Sequence, residues 1–314
     1  MKIAILDKST LGADIDLTPI RTLGETAEYD TTTPAQIAER IQDAQVVIVN
    51  KIKLNESNLK GTAVRLICVA ATGYDNIDTA YCRAAGIALC NVPGYSTDSV
   101  AQLTVAMALS LATHLNEYTK YVESGDYTAS GIANRLTPVY HELSSMTWGV
   151  VGGGGIGKRV AEIAEAMGCR VLMCRRKQEG KFPLADIDTL CKEADILSLH
   201  VPLTEETRNL IDRERIAAMK PTVILINTAR GAVTDEQALA DALRENRIGA
   251  LGIDVYSAEP FGEEHPFYSL LGDPRLCLTP HMAWGSYEAR ARCVAAMAEN
   301  IARFWSGDRH NRIV

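Results

Sequence analysis

Several features are absent from this chain, and each absence narrows what it can be. No run reaches the roughly 18 apolar residues that a membrane span needs. The most apolar stretch, residues 100–112, is interrupted by Gln102, Thr104 and Ser110. Before Asp7 there is only Ile3-Ala4-Ile5-Leu6, too short for a signal-peptide core. The eight cysteines (68, 82, 90, 169, 174, 191, 277 and 293) include no CxxC pair and no Cys/His cluster at metal spacing, so no metal is expected. Scattered thiols of this kind fit a reducing compartment, and the expected location is cytoplasmic. Positive charge is not in excess: the formal net charge is -7, which argues against nucleic acid as a partner. A small anion is not excluded, since it needs only local positive charge. Internal repeats and low-complexity segments are missing as well.

What remains is the composition of a globular α/β protein, with 47% hydrophobic and 23% charged residues. At 314 residues the chain is long for one core, and two domains are expected. Short apolar runs alternate with helical patterns throughout, which implies parallel sheets covered on both faces. Strands are predicted at 2–6, 46–49, 65–70 and 87–92. Thr33-Pro34-Ala35-Gln36 reads as a helix start with a capping box, and Gly86 as the stop of a helix over 78–85. Pro93-Gly94-Tyr95-Ser96 breaks the rhythm at a domain crossing, and Asp98 can cap the long apolar helix beyond it. Residues 125–138 read as irregular. Six further strands are predicted at 148–151, 170–174, 196–200, 223–227, 250–255 and 276–278, the count of a doubly wound dinucleotide-binding sheet.

Gly152-Gly153-Gly154-Gly155-Ile156-Gly157 follows the first of those six strands and opens an amphipathic helix. In that setting a glycine-rich turn presents backbone N–H groups and a helix N-terminus to a pyrophosphate. Gly152 serves the turn, Gly154 the close approach of phosphate, and Gly157 the packing of helix on strand. Eighteen positions beyond Gly157, where a ribose-binding carboxylate is expected, stand Arg175, Arg176 and Lys177. Three cations favour a 2′-phosphate over a 2′-hydroxyl, so NADP(H) is the expected cofactor, with NAD(H) used less well. The competing reading is a solvated strand end. Farther on, Arg230, Glu259 and His281 occur in that order. A guanidinium can fix a planar carboxylate, and a carboxylate-paired imidazole can move a proton near neutral pH. With a nicotinamide as redox partner, these parts suffice to interconvert a 2-hydroxy acid and a 2-keto acid. Each taken alone is ambiguous, and His114, His141, His265 and His310 have no evident role.

The chain resembles the D-isomer-specific 2-hydroxyacid dehydrogenases, and within them the glycerate dehydrogenase (hydroxypyruvate reductase) branch. Ordered matches run over almost the whole length. They include Asn50-Lys51, Ala71-Thr72-Gly73-Tyr74-Asp75-Asn76-Ile77-Asp78, the segment from Asn91 to Ala101, and the glycine turn. They continue through His200-Val201-Pro202-Leu203-Thr204, Asn227-Thr228-Ala229-Arg230-Gly231, Gly252-Ile253-Asp254-Val255 and Thr279-Pro280-His281-Met282-Ala283-Trp284. The resemblance implies two doubly wound parallel-sheet α/β domains. A flavodoxin-like substrate domain would span 1–96 plus 290–314, and a Rossmann cofactor domain 97–289. The catalytic cleft would lie between them, with the crossings as hinges.

The resemblance also implies roles. Arg230 would bind the substrate carboxylate and keto oxygen, His281 would be the acid/base, and Glu259 would orient His281 and raise its pKa. Amides at Thr72 and Gly73 would hold the carboxylate, with Lys51 and Trp284 shaping a pocket for a short substrate. Gly152, Gly154, Gly155, Ile156 and Gly157 would bind the dinucleotide, Asp254 would contact the nicotinamide carboxamide, and His200, Val201, Pro202, Thr228 and Ala229 would line its site. The expected reaction is hydride transfer between a nicotinamide cofactor and hydroxypyruvate/D-glycerate or glyoxylate/glycolate. A homodimer is expected, with the apolar helix from Val100 as its interface. Three departures stand out: Arg175 for the acid usual in NAD-using members, Gln102 for a frequent Glu, and Tyr127 for a frequent Trp. Two alternatives remain. One is an NAD(H)-responsive corepressor of the same fold, against which the chain ends at Val314 without an extra tail. The other, formate oxidation, would need a far smaller pocket.

Overall fold

Two parallel sheets organise the chain, one in each of two units of the computed structural model, which describes residues 1–176 and 180–314. The first unit is Met1–Ser96 with Gly285–Val314, the second Thr97–Trp284. The second boundary between these units falls at 284/285. Ser286 caps the helix Tyr287–Trp305 by accepting from the Ala289 backbone N–H, and a continuous helix cannot be divided after its first turn.

Among the described residues the first unit has five strands: β1 (Lys2–Ile5), β2 (Glu25–Glu28), β3 (Val46–Val49), β4 (Leu66–Val69) and β5 (Ala88–Cys90). They are ordered β2-β1-β3-β4-β5, all parallel, the flavodoxin-like arrangement. Val46-Val47-Ile48-Val49 and Leu66-Ile67-Cys68-Val69 are buried at every position, because helices cover both faces. Each fully buried Val or Ile there contributes roughly 1.5–3 kcal/mol. β2 was not predicted: Glu25-Thr26-Ala27-Glu28 lies at the sheet edge, where a half-solvated strand carries no apolar run. The order reverses between β1 and β3, so the carboxyl ends of these two strands flank a switch point, where such sheets bind ligands. The capping box at Thr33 and Gln36 is present. Asp78 caps the helix Thr79–Ala85, which ends on Gly86 at φ 70. The helix Tyr287–Trp305 buries Ala289, Cys293, Val294, Met297 and Ile301 on one face and packs on β4.

The second unit has β6 (Thr147–Val151), β7 (Arg170–Cys174), β8 (Ile196–Leu199), β9 (Ile224–Asn227), β10 (Ala250–Ile253) and β11 (Leu276–Leu278). Their order is β11-β10-β9-β8-β6-β7. Beyond β7 a single parallel bridge joins Met173 to Leu184. It occupies the place of the outer strand of a dinucleotide-binding sheet, reduced to one residue pair. Trp148 is fully buried, and its indole N–H donates to Ser198 Oγ at 2.9 Å.

One face of the helix Thr97–Ala112 is buried within the chain. Val100, Ala101, Thr104, Val105, Met107, Ala108, Leu111 and Ala112 are buried against the helix Gly155–Ala166 and strands β9 and β10. That face belongs to the core, while Gln102, Leu103, Ala106, Leu109 and Ser110 on the other side stay at least partly exposed. A run of exposed apolar side chains lies just after it: Leu115, Val122, Tyr127, Ile132, Leu136, Val139 and Tyr140. The stretch expected to be irregular holds one short helix, Asp126–Ser130, between left-handed Gly125 and Gly131.

Candidate active site

The glycine turn is best read by asking what a side chain would meet at each position. Gly152 has φ +116, and a Cβ there would lie 2.3 Å from the His200 carbonyl oxygen. At Gly157 a Cβ would lie 2.0 Å from Gly152 O, so helix and strand touch through it. Gly154 is different: an added Cβ would meet nothing within 4 Å. The protein's own packing does not require glycine at that position. It stands before the helix Gly155–Ala166, so the space over it suits a phosphate approaching the helix N-terminus. A dinucleotide therefore fits the residues present.

His200 continues this wall. Both ring nitrogens are buried and find no hydrogen-bond partner among the described residues. Burial pushes the imidazole pKa down to about 3, which keeps the ring neutral. Val201 Cγ1 lies near Gly152, Pro202 O accepts from Thr207 Oγ1 at 2.6 Å, and the Thr228 hydroxyl lies 3.0 Å from that of Thr104. Of the basic cluster, Arg175 lies against Gly153 and Gly180, and its guanidinium donates to Phe182 O at 2.8 Å. Arg176 pairs with Glu206 at 2.7 Å on the surface. Lys177 lies outside the described residues.

Arg230, Glu259 and His281 all belong to the second unit, beyond the carboxyl ends of β9, β10 and β11. Asn227, at the end of β9, sets the arginine turn: its Nδ2 donates to Arg230 O at 2.9 Å, and its Oδ1 accepts from Ala229 N at 3.0 Å. His281 Nδ1 lies 2.6 Å from Glu259 Oε2, with both side chains only partly exposed. A carboxylate can only accept here, so Nδ1 carries the proton. The other oxygen, Glu259 Oε1, accepts from Tyr256 N at 3.0 Å.

His281 has φ 52, a left-handed backbone uncommon for a residue other than glycine. Asp254 holds it. Its Oδ1 accepts from Thr279 Oγ1 (2.6 Å) and Met282 N (2.8 Å), and its Oδ2 from Ala283 N (3.0 Å). Its own carbonyl accepts from His281 N at 2.8 Å. Burial raises the Asp254 pKa, opposed by the Thr279 hydroxyl and these amides. Sequence reasoning assigned Asp254 to the cofactor and missed that it shapes the histidine loop. Ser99 Oγ, donating to Ala283 O at 2.6 Å, completes the anchorage next to half-buried Trp284.

Lys51, Thr72 and Gly73 belong to the first unit, where they follow the adjacent strands β3 and β4. Asp7, just past β1, accepts from the amides of Asn50 (3.0 and 3.1 Å), Lys51 (2.7 Å) and Ile52 (3.3 Å). Its pKa is raised by burial and held back by those amides. Asn91 Nδ2 donates to Thr72 O at 2.7 Å, and Thr72 Oγ1 to Val92 O at 2.9 Å, which fixes the second loop.

Residues 105–283 match the family model described as the D-isomer specific 2-hydroxyacid dehydrogenase, NAD binding domain. The chain belongs to this family. It is 35% identical to the glycerate dehydrogenase of Methylorubrum extorquens over 99% of its own length and 98% of the relative's. It is 33% identical to the hydroxypyruvate reductase of Blautia hydrogenotrophica over 98% of each chain. The D-lactate dehydrogenase of Aquifex aeolicus, solved with NAD and lactic acid, superposes with a TM-score of 0.88 at 28% identity, over 98% of this chain and 97% of that one. The protein is thus a nicotinamide-dependent oxidoreductase that transfers a hydride, with the two-domain α/β fold of the 2-hydroxyacid dehydrogenases. No helix of this dehydrogenase, among the described residues, is long and apolar enough to cross a membrane.

Proposed function

We propose that the dehydrogenase reduces a short 2-keto acid, hydroxypyruvate or glyoxylate, to the corresponding 2-hydroxy acid, with NADPH preferred to NADH. The observation that carries the reaction is the 2.6 Å contact between His281 Nδ1 and Glu259 in the loop anchored by Asp254. With Nδ1 committed to the carboxylate, Nε2 is the atom that moves a proton. Arg230 binds the substrate carboxylate and polarises the C2 carbonyl. A nicotinamide cofactor held at the glycine turn would supply the hydride that C2 accepts. Protonated His281 gives its Nε2 proton to the carbonyl oxygen as the alcohol forms, so one hydride and one proton are consumed. Lys51 and the Thr72 and Gly73 amides, in the first unit, offer donors suited to the carboxylate of a short acid. The near-full-length likeness to a glycerate dehydrogenase supports that size.

The cofactor preference rests on Arg175 at the end of β7, where an NAD enzyme of this fold needs a carboxylate. A 2′-phosphate would draw the Arg175 guanidinium from Phe182 O into a charge-assisted contact. A turnover matrix of hydroxypyruvate, glyoxylate, pyruvate and 2-ketobutyrate with NADH and NADPH tests both points. A preference for pyruvate or 2-ketobutyrate over the other two would overturn the substrate reading. An NADH preference unaffected by Arg175→Asp would overturn the cofactor reading. The exposed apolar side chains between 115 and 140 support a homodimer through that segment. Sedimentation of the pair Leu136→Asp/Val139→Asp should show monomers; an unchanged dimer would sink that surface. The eight free thiols support a cytoplasmic location, checked by fractionation.

A further inference from the structure

Glu236 opens the helix Glu236–Arg244, yet its side chain turns inward, and the residue is only 8% exposed. It accepts three hydrogen bonds: from Ser257 N at 2.9 Å, from Ser257 Oγ, and from His265 Nε2 at 3.1 Å. The His265 side chain is 6% exposed. Its other nitrogen, Nδ1, accepts from Phe267 N at 3.3 Å, so the donor to Glu236 is Nε2–H of the neutral ring. Tyr256, Phe261 and Phe267 surround that ring, at centroid distances of 5.9, 4.8 and 5.2 Å. A buried carboxylate thus ties down both ends of the segment 257–265, and Glu259 sits within it.

Two contacts carry this anchorage to the reacting groups. Tyr256, adjacent to Ser257, donates its amide to Glu259 Oε1, while Glu259 Oε2 holds His281. Gly231, adjacent to Arg230, lies directly on the same backbone: a Cβ there would be 2.1 Å from Tyr256 C and 2.2 Å from Ser257 N. We propose that Glu236 and His265 are positioning residues that, through the segment 257–265, set the Glu259–His281 contact. The inference rests on the catalytic reading of Glu259 and His281 given above.

The test uses four variants of the full chain and two readouts. His265→Phe keeps the ring volume but removes the donor, and His265→Gln returns an N–H donor at similar reach. Glu236→Ala removes the acceptor, and Glu236→Gln keeps one. The first readout needs no turnover: long-range ¹H–¹⁵N spectra of the histidine-labelled protein at alkaline pH report which His281 nitrogen bears hydrogen. The signal is assigned by its loss in His281→Ala. Wild type should show the Nδ1–H tautomer, and His265→Phe and Glu236→Ala should lose it. The second readout is kinetic: kcat should fall by up to about 10²-fold in these two variants, the scale of a misplaced reacting group. The KM for the cofactor should stay unchanged. His265→Gln and Glu236→Gln should recover most of both signals. A fall in kcat with the His281 tautomer unmoved would reduce the pair to structural packing and overturn the proposal, as would wild-type behaviour in His265→Phe. If Glu236→Ala does not fold, the two His265 variants decide. Absence of turnover by wild type on every 2-keto acid would sink the functional reading alone, since the tautomer still judges the anchor.

Discussion

Two buried aspartates, one in each unit, do the same mechanical work on different kinds of loop. Asp7 follows β1 and holds the loop after its neighbour β3; Asp254 follows β10 and holds the loop after its neighbour β11. In a parallel sheet the carboxyl ends of adjacent strands lie side by side, so an acid past one strand can collect the amides past the next. Asp7 accepts three successive N–H groups, those of Asn50, Lys51 and Ile52, and so fixes the backbone of the Lys51 loop. Asp254 accepts two amides and the Thr279 hydroxyl, and with them stabilises the left-handed backbone of His281. Both carboxyls are raised in pKa by burial, the cost of removing a charge from water. The difference is in what is positioned. One device fixes the backbone of a loop in the first unit, and the other fixes the backbone of the proposed acid/base in the second.

The largest effect should come from the aimed group itself. His281→Ala is expected to lower kcat by about 10²–10⁴-fold with folding intact, as for a positioned acid/base. Arg230→Lys should also be severe, because an ammonium cannot make the planar bidentate contact. Steady-state kinetics with circular dichroism checks both, and near-normal turnover in the two variants would end the mechanism.

A sharper trial sets Asp254→Ala beside Asp7→Ala. Each strands three donors, and each should cost about 3 kcal/mol in urea unfolding, less whatever relief comes from deleting a buried charge. Their kinetics should part. Asp254→Ala is expected to lower kcat by up to about 10²-fold by releasing His281, whereas Asp7→Ala should act chiefly on the substrate KM. Equal losses of kcat would dissolve the comparison.

The smallest effect is a pH dependence of stability, where the buried imidazole opposes the buried acids. His200 has its pKa lowered from 6.5 to about 3, so below pH 6.5 the unfolded chain binds a proton that the folded chain refuses. Its contribution is whole above 6.5 and is lost as pH falls toward 3. Asp7 and Asp254, with raised folded pKa values, act in reverse: their protonation favours the folded state as pH falls toward the ordinary carboxylate range. Between pH 6.5 and 5 the histidine should cost about 2 kcal/mol. Urea unfolding of wild type and His200→Asn at pH 7 and pH 5 measures it. Parallel losses in the two proteins would remove His200 as the cause.

Much of this was legible in the chain. Apolar runs such as Val46-Val47-Ile48-Val49 announced buried strands, and the capping box at Thr33 and the stop at Gly86 appear where their residue types require them. The glycine turn carried its geometry in its spacing. β2 was not legible, because a polar edge strand has no signature without its partner β1. The packing of the helix Thr97–Ala112 was not legible, since an apolar face does not say whether its cover is the same chain or another copy. Asp7, Glu236 and His265 were passed over or left without a role for one reason: the links Asp7–Lys51, Asp7–Ile52, Glu236–Ser257 and Glu236–His265 span 21 to 45 positions.

The sequence by itself determined the class of fold and the glycine turn, because these follow from local pattern and intrinsic chemistry. Only the tertiary structure decided which buried carboxylate holds which loop. It also decided that His281 is held in a left-handed backbone and that the Glu259 segment hangs on Glu236. Such pairings exist only once parallel strands bring distant amides to one carboxylate, and there the cost of burying a charge is offset by the hydrogen bonds that satisfy it.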